Sequence, residues 1–334
     1  MNDRYREAGV DLDEAGRTSR LYHQVIDRDE ASGVISEIGH FAAFMGLPGD
    51  GGGPLLAASA DGVGTKLVLA REFGRMEGIG QDLVAMIVND LLASGARPLF
   101  LLDYLAVEKL HAEEAAAIVA SVARAAETVG ARLLGGETAE LKGLLTPGAL
   151  DLAGFGVGLV ERERLVTGRA IRSGDRLLAL RSSGFHSNGY TLIREILSGG
   201  VDPMTPLGDG RPLLDALLRP TTLYPPILLA ELSSDVHGLA PVTGGGIAGN
   251  LERILPADLD ALICRSSLRP HPEMELLARR GNVPPRDALR AWNMGVGYII
   301  VASPEGASDL VRDLECETWE IGHMAAGRGD VVWT

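Results

Sequence analysis

The sequence predicts an α/β protein of two domains, each a layering of sheet and helices. Three observations carry this. The chain has 334 residues, more than one hydrophobic core usually organises. Strand-like apolar runs alternate with segments of helical periodicity through both halves. Around Gly168 to Gly174 the chain turns polar and glycine-punctuated, which sets an N-terminal domain at 1–168 and a C-terminal domain at 169–334.

The first half opens with a mixed segment that ends in a flexible loop, Pro48 to Pro54. Leu55 to Ser59 reads as a buried strand stopped by Asp61-Gly62. Between Gly80 and Gly95, Leu83, Val84, Ile87, Val88, Leu91 and Leu92 recur at helical spacing, and Gly95 with Pro98 closes the helix. Leu99 to Val107 is a strand, and the alanine-rich run after it is a helix ending near Gly130. A short strand, Arg132 to Leu134, and a longer one, Asp151 to Glu161, complete the half. The second half repeats the alternation: strands at 175–181, 239–243, 261–264 and 295–303, helices at 187–197 and near His271 to Arg280, then a helix and two short strands.

Composition narrows the function. Hydrophobic residues make up 46% and charged residues 23%, so a sizeable core is expected. The formal charge of -14 argues against a nucleic-acid binder, which needs a basic surface to displace counterions. A phosphate-bearing ligand stays compatible, because Mg²⁺ bridges carboxylates to phosphates. Cys264 and Cys316 form no CxxC pair, which speaks against a zinc site or disulfide framework. No secretory leader is read at the start and no apolar run reaches 18 residues, so a cytoplasmic protein without membrane association is expected.

Five segments are candidates for chemistry. Asp61-Gly62-Val63-Gly64-Thr65-Lys66 follows a strand; its glycines let backbone N–H groups approach phosphate oxygens, Lys66 offers a mobile charge and Asp61 a metal ligand. It also reads as a tight turn with a solvated lysine. Asn89-Asp90 interrupts an apolar helix with Asp82 eight residues earlier on roughly the same face; such polar residues are either paired, metal-bound or a solvent-facing stripe. Gly135-Gly136-Glu137 after the short strand would aim Glu137 at the sheet end where ligands bind, or form an ordinary turn. Ser182 to Tyr190 opens a helix; small polar residues there suit an anion, Asn188 joins them, and His186 is an acid–base candidate at neutral pH or a structural histidine. Gly244, Gly246 and Gly249 match a dinucleotide-binding GxGxxG, but the acidic residue it requires is misplaced.

In order and spacing these segments go further than they do singly. DGVGTKL, GQDLVAMIVNDLLASGARPLFLLDY, LLGGETAEL, GFHSNGYTLIREIL, VTGGGIAGNLERILP and WNMGVGYII, with YREAGVDLDEAG at the start and WEIGHM at the end, resemble the aminoimidazole ribonucleotide synthetase family over nearly the whole chain. The resemblance implies two α/β domains and a homodimer in which N-terminal sheets pair, with ATP near that interface. It implies Mg²⁺ on Asp61, Asp90 and Glu137, and ATP contacts from Gly62, Gly64, Thr65, Lys66, Asn89, Gly135 and Gly136. It implies catalytic roles for Lys66, His186 and Asn188. The implied reaction moves the γ-phosphoryl group of ATP to the amide oxygen of formylglycinamidine ribonucleotide; an intramolecular amine then displaces phosphate and closes the imidazole of aminoimidazole ribonucleotide. Phosphorylation is needed because an amide oxygen is a very poor leaving group.

Three stretches depart from the family pattern. A glycine-rich lid becomes Ser36 to Ala42, keeping Gly39 and Phe41 but introducing Glu37 and His40. The stretch before the first motif reads Ala58-Ser59-Ala60 and loses a hydroxyl beside Asp61. The loop Leu141 to Leu145 lacks the family's proline and aromatic residue. The changes fall in the lid and acceptor loop, while the expected Mg-ATP residues remain. An alternative expectation follows: a paralogue that applies the same phosphoryl transfer to a different amide or carboxylate.

Overall fold

The computed structural model describes residues 4–25, 33–35, 39–47 and 52–334. Ser36, Glu37 and Ile38 of the lid, and residues 48–51 of the loop, lie outside them. The first half comprises α1 (Arg4–Glu7), α2 (Leu12–Val25), β1 (Ala43–Gly46), β2 (Leu55–Gly62), α3 (Lys66–Glu72), α4 (Ile79–Leu92), β3 (Arg97–Val107), α5 (Ala112–Thr128), β4 (Arg132–Glu140) and β5 (Leu150–Val160). The second comprises β6 (Arg176–Arg181), α6 (Tyr190–Ser198), α7 (Leu213–Leu217), α8 (Pro225–Leu228), β7 (Val236–Pro241), α9 (Gly246–Leu251), β8 (Leu259–Ile263), α10 (Pro272–Arg280), α11 (Pro285–Ala291), β9 (Val296–Ala302), α12 (Pro304–Asp313), β10 (Thr318–Ala326) and β11 (Val331–Trp333). Among the described residues no helix is long and apolar enough to cross a membrane.

These strands form two mixed sheets, ordered β1-β2-β5-β3-β4 and β11-β8-β10-β6-β9-β7. Only β3 with β4 and β8 with β11 run parallel among the described pairs; the rest are antiparallel. Two expectations are corrected here. β2 does not stop at Asp61 but runs through Gly62, because Asp61 and Gly62 keep pairing with Gly154 and Ala153. Gly135 to Glu140 is not a turn after a short strand: it continues β4 beyond a register shift beside Leu134, paired to β3 as far as Glu140.

Helices α4 and α5 cover one face of the first sheet. α4 is buried at every position except Gln81, the pattern of a helix enclosed on all sides. Its seat depends on missing side chains in β5. A Cβ on Gly156 would lie 2.4 Å from Ile87 Cγ2, and one on Gly154 would lie 2.8 Å from Ile87 Cδ1. The opposite side of α4 meets the second half. Accordingly, one core cluster combines α4, α5 and first-sheet residues with Phe185, Tyr190, Leu192 and Trp292. The other encloses the second sheet, with Leu92 and Ala93 from the end of α4. The outer face of the first sheet is left apolar and open: Leu102 is 40% exposed, Tyr104 39%, Phe155 41% and Leu134 65%.

The α4–α5 crossing is tightest at Gly80, where a Cβ would stand 2.0 Å from Ser121 Oγ and 2.3 Å from the Val122 backbone nitrogen. Gly80→Ala should therefore destabilise the protein by about 1–3 kcal/mol despite alanine's better helix propensity. A denaturant midpoint that stays put or rises would show that the helices can separate at no cost.

Candidate active site

α4 places three polar side chains in the interior, one after another. The first, Asp82, is wholly buried and paired with Lys66, whose Nζ lies 2.8 Å from each carboxylate oxygen. Lys66 Nζ also donates to the carbonyls of His186 (3.1 Å) and Arg219 (2.7 Å). Asp82 Oδ1 accepts in addition from the backbone N–H of Thr221 (2.8 Å) and its hydroxyl (2.6 Å). The mobile, phosphate-facing lysine expected from the sequence is thus corrected: Lys66 is an interior strut joining the N-terminal half to two C-terminal loops. Burial pulls its pKa down, and the Asp82 carboxylate opposes that shift.

Asn89 is the second. Its Nδ2 donates to Thr222 O (2.9 Å) and its Oδ1 accepts from Tyr224 N (3.0 Å), while its own carbonyl accepts from Tyr298 OH (3.0 Å). Asn89 therefore pins the segment 222–224 against α4 and has its amide occupied by protein.

Asp90 is the third, and the one without a lysine or amide partner. Ser59 Oγ donates to its Oδ2 at 3.4 Å. Burial, and then the charge of Asp61, raise its pKa to about 8, while Arg253 and Ser59 work in the opposite direction. Asp61 is raised too, mainly by burial. Two carboxylates thus lie close enough to couple, with Arg253 as a counter-charge. Arg253 is itself held by the lid segment: it donates to the carbonyls of Gly39 (2.8 Å) and His40 (2.9 Å), and its guanidinium stacks 3.8 Å from the Phe41 ring centroid. Burial, with help from Arg253, depresses His40 to about 4, so its imidazole is neutral.

The loop before α6 adjoins this region. Thr65 and Thr191 hydroxyls lie 3.2 Å apart, which joins the first sequence motif to the start of α6, just after the fourth. His186 adopts the left-handed region at φ 59 and is buried; its Nε2 accepts the Ser183 N–H at 3.2 Å. Burial, then Lys66 and His271, push its pKa to about 3. Of the two readings the sequence offered, the burial and low pKa favour a neutral, structural imidazole at neutral pH. The Asn188 Nδ2 is buried with no hydrogen-bond partner among the described residues.

Glu137 stands apart. It pairs with Tyr104 on β3, which pairs with Ala153, which pairs with Gly62. It is therefore three strand spacings, about 14 Å, from Gly62, and on the outer face with Tyr104, whereas Asp61 points inward with Asp103. No group of three acidic, histidine or cysteine ligands is gathered among the described residues.

Two sequence-wide comparisons bear on this arrangement. The N-terminal domain model of AIR synthase related protein matches residues 39–160, and its C-terminal counterpart matches 172–334. The chain belongs to the AIR synthase related family. Phosphoribosylformylglycinamidine cyclo-ligase of Xanthomonas campestris pv. campestris (strain B100) is 42% identical over 98% of this chain and 98% of its own length. The cyclo-ligase of Synechococcus sp. (strain CC9311) is also 42% identical, over 97% and 96%. Among solved structures, AaThiL complexed with AMPPCP and TMP has a TM-score of 0.67 at 16% identity, covering 96% of this chain and 93% of that one; this likeness speaks for the fold.

Within this family member the donor set fits a hard cation. Mg²⁺ is commonly held by one or two carboxylates, with water and substrate phosphates completing its shell. Asp61 from the inner face of the sheet and Asp90 from α4 supply two such carboxylates, and burial, then the Asp61 charge, hold Asp90 above the usual carboxylate range. Asp103 was missed by sequence reasoning. It is buried on the same inner row, and a Cβ on Gly136 would lie 2.2 Å from its Oδ1, so Gly136 makes room for this carboxylate. A lone acid in an apolar strand was the available signal, the same as for Asp90. Arg253 and Arg219 were missed because their partners lie far away in sequence.

Breaking a buried ion pair from one side is costly, while neutralising both sides is far less so. Lys66→Met should lower stability by about 3–5 kcal/mol, and the double variant Lys66→Met/Asp82→Asn should recover part of that loss. Urea unfolding of the set decides it; additive single and double variants would show that the two charges do not interact.

The Asp90 shift carries a pH prediction. Its folded pKa of about 8 lies above an unfolded value of about 3.9. Between those values the folded state binds a proton that the unfolded state does not, so this group's contribution to stability falls as pH rises through the interval. Asp90→Asn should flatten the decline in melting temperature between about pH 5 and 8, and added Mg²⁺ should flatten it in the wild type only. An unchanged pH profile in the variant would remove Asp90 as the source.

Proposed function

We propose that this protein is a Mg-ATP-dependent cyclo-ligase that converts formylglycinamidine ribonucleotide to aminoimidazole ribonucleotide in the cytoplasm. The observation that carries the reading is the coupled pair Asp61 and Asp90, in a chain collinear end to end with cyclo-ligases. The solved relative complexed with AMPPCP supports ATP as the phosphoryl donor.

Asp61 and Asp90 would hold Mg²⁺, which when bound neutralises phosphate charge and polarises the transferring group. The turn at Gly62 and Gly64 presents backbone to the phosphates, with Thr65 anchored by Thr191. The substrate amide oxygen attacks the γ-phosphorus; the bond to the β,γ-bridging oxygen breaks and ADP leaves. The substrate's amine nitrogen then attacks the activated carbon, the C–O bond breaks and inorganic phosphate leaves as the imidazole closes and the nitrogen loses a proton. Asn188 is a candidate to orient the acceptor, since its amide donor is unspent within the protein. Lys66 and His186 serve by position: the strut holds the His186 carbonyl, and so the turn that carries Asn188. Positioning and water exclusion matter because an activated amide hydrolyses readily.

The open apolar face of the first sheet supports a homodimer paired through it. Gly135 and Glu137 lie at that face, so any contribution they make to the nucleotide would cross between subunits.

One set of observations favours a second reading, transfer to a different amide or carboxylate. The lid carries His40, neutral and half-buried against Phe44, where the family resemblance calls for glycine, and Leu144 of the acceptor loop is 77% exposed. A single assay separates the readings: formylglycinamidine ribonucleotide, ATP and Mg²⁺, following ADP and aminoimidazole product together. Stoichiometric formation on the order of 1 s⁻¹, reduced at least about a hundredfold in Asp90→Ala, is expected. ATP binding without either product would move the acceptor to another compound.

A further inference from the structure

No step of the reaction uses the turn Trp292-Asn293-Met294-Gly295, which joins α11 to β9. It sits against the turn that runs from Ser182 to α6 and carries His186 and Asn188. Each of the two turns holds a non-glycine residue in the left-handed region, Met294 at φ 51 and His186 at φ 59. Such conformations persist where the surrounding contacts over-determine them. We propose that Asn293 is a positioning residue: its side-chain amide clamps the Gly184 carbonyl and so sets where the turn presents Asn188 to the acceptor. The inference rests on the cyclo-ligase reading for the acceptor and on the clamp's own geometry for the positioning.

The direction of each bond at Asn293 is fixed by its neighbours. The backbone N–H of Gly295 only donates, and it meets Oδ1 at 2.9 Å. Nδ2 is therefore the atom that faces the Gly184 carbonyl, 2.8 Å away. Ser182 Oγ donates to the same Oδ1 at 3.3 Å. Behind it, Arg181 Nη2 lies 3.2 Å from His271 Nδ1. A guanidinium only donates, so Nδ1 accepts and Nε2 carries the imidazole proton. Nε2 then donates to the Ser182 carbonyl at 2.9 Å, with Ser182 Oγ 3.1 Å away. One chain of donors thus runs from Arg181 through His271 and Ser182 to Asn293, and ends on Gly184.

Two more donors hold the same turn. Lys66 Nζ donates to the His186 carbonyl at 3.1 Å, and Arg219 donates to the Ser183 carbonyl. The carbonyls at 183, 184 and 186 are thereby drawn toward three different parts of the chain. Packing leaves the turn little slack. Trp292 is wholly buried and meets Phe185 edge-on, with ring centroids 5.3 Å apart. A Cβ on Gly189 would lie 2.5 Å from Trp292 Cδ1, and one on Gly297 would lie 2.6 Å from His186 Cε1. At the far end of the turn the Asn188 amide nitrogen is buried and meets no partner among the described residues. A donor held this closely and left unspent is preorganised for a ligand, and misplacing such a group by about 1 Å costs on the order of a hundredfold in rate.

The test compares the full-length wild type with N293D and N293S in steady-state turnover of formylglycinamidine ribonucleotide and Mg-ATP. N293D keeps the side chain's shape and loses its donor; N293S loses the bond to Gly184 without introducing a charge. Both should lower kcat about tenfold or more and leave KM for ATP unchanged, since Asp61 and Asp90 lie on other elements. The introduced carboxyl group, once protonated, donates to the Gly184 carbonyl again, and burial raises its pKa. As a fraction of wild type at the same pH, N293D activity should therefore rise about threefold or more between pH ~8 and pH ~6, and N293S activity should stay level. Arg181 and His271 behind Ser182, Arg219 and Glu273 beside Gly184, and Lys66 and His186 at the turn face this site in all three proteins, so the ratio removes their own titration. A kcat within about twofold of wild type, or a loss shared by the KM for ATP with no recovery at low pH, overturns the positioning role. If N293D does not fold, the kcat and the KM for ATP of N293S decide. If the wild type does not turn over this acceptor, the cyclo-ligase reading fails separately. Hydrogen exchange across residues 183–189 then judges the clamp alone: faster exchange in N293S with α4 unchanged upholds it, and equal exchange eliminates it.

Discussion

The Lys66–Asp82 pair is the constraint on which the rest of the arrangement depends. Both side chains are fully removed from solvent, a placement that costs far more than a surface ion pair unless every donor and acceptor is served. Here Lys66 reaches two carbonyls of the C-terminal half, and Asp82 takes two bonds from Thr221. The ion pair lies within the N-terminal half, but its remaining hydrogen bonds come from the C-terminal half, so neither half satisfies it alone. It therefore ties the relative placement of the halves to a single buried charge balance, and with it the left-handed turn at His186.

From that anchor, α4 acts as a ruler. About two turns of helix further on, the same buried element fixes the 222–224 segment through Asn89 and, one residue later, presents Asp90 to Ser59 and Asp61. The first station is neutralised by a lysine and the second by amide hydrogen bonds. The third is held near the titration range of neutral solutions by burial and by the neighbouring Asp61, against Arg253. That contrast separates an ion-paired carboxylate from one that neighbours a second carboxylate on a single helix. Arg253 couples this third station to the lid, since the guanidinium that faces the carboxylates also holds the carbonyls of Gly39 and His40.

On a chain of net charge -14 the buried acids gather on one side of the first sheet. Asp61 and Asp103 share its inner face, linked by strand pairing through Gly154, and Asp90 meets them from α4. Arg253 is the cation that faces Asp61 and Asp90, and burial works against its charge as it does against theirs.

Much of this was legible in the chain itself. Alternating apolar periodicities determine two α/β layers, and the order of glycine-bearing motifs determines the family. Asp61 and Asp90 stand out because carboxylates in apolar runs demand a partner. What a carboxylate or lysine finds as its partner is a non-local matter, and there only the tertiary structure decides. Lys66 was read as mobile because its sequence neighbours are glycines, yet Asp82, His186 and Arg219 converge on it from 16, 120 and 153 residues away. His186 loses its basicity only because folding buries it, and Glu137 faces away from Asp61 only because a register shift in β4 sets the parity of its strand. Local pattern determines which segments form and which residues need company; the packing of one half on the other determines which company they keep.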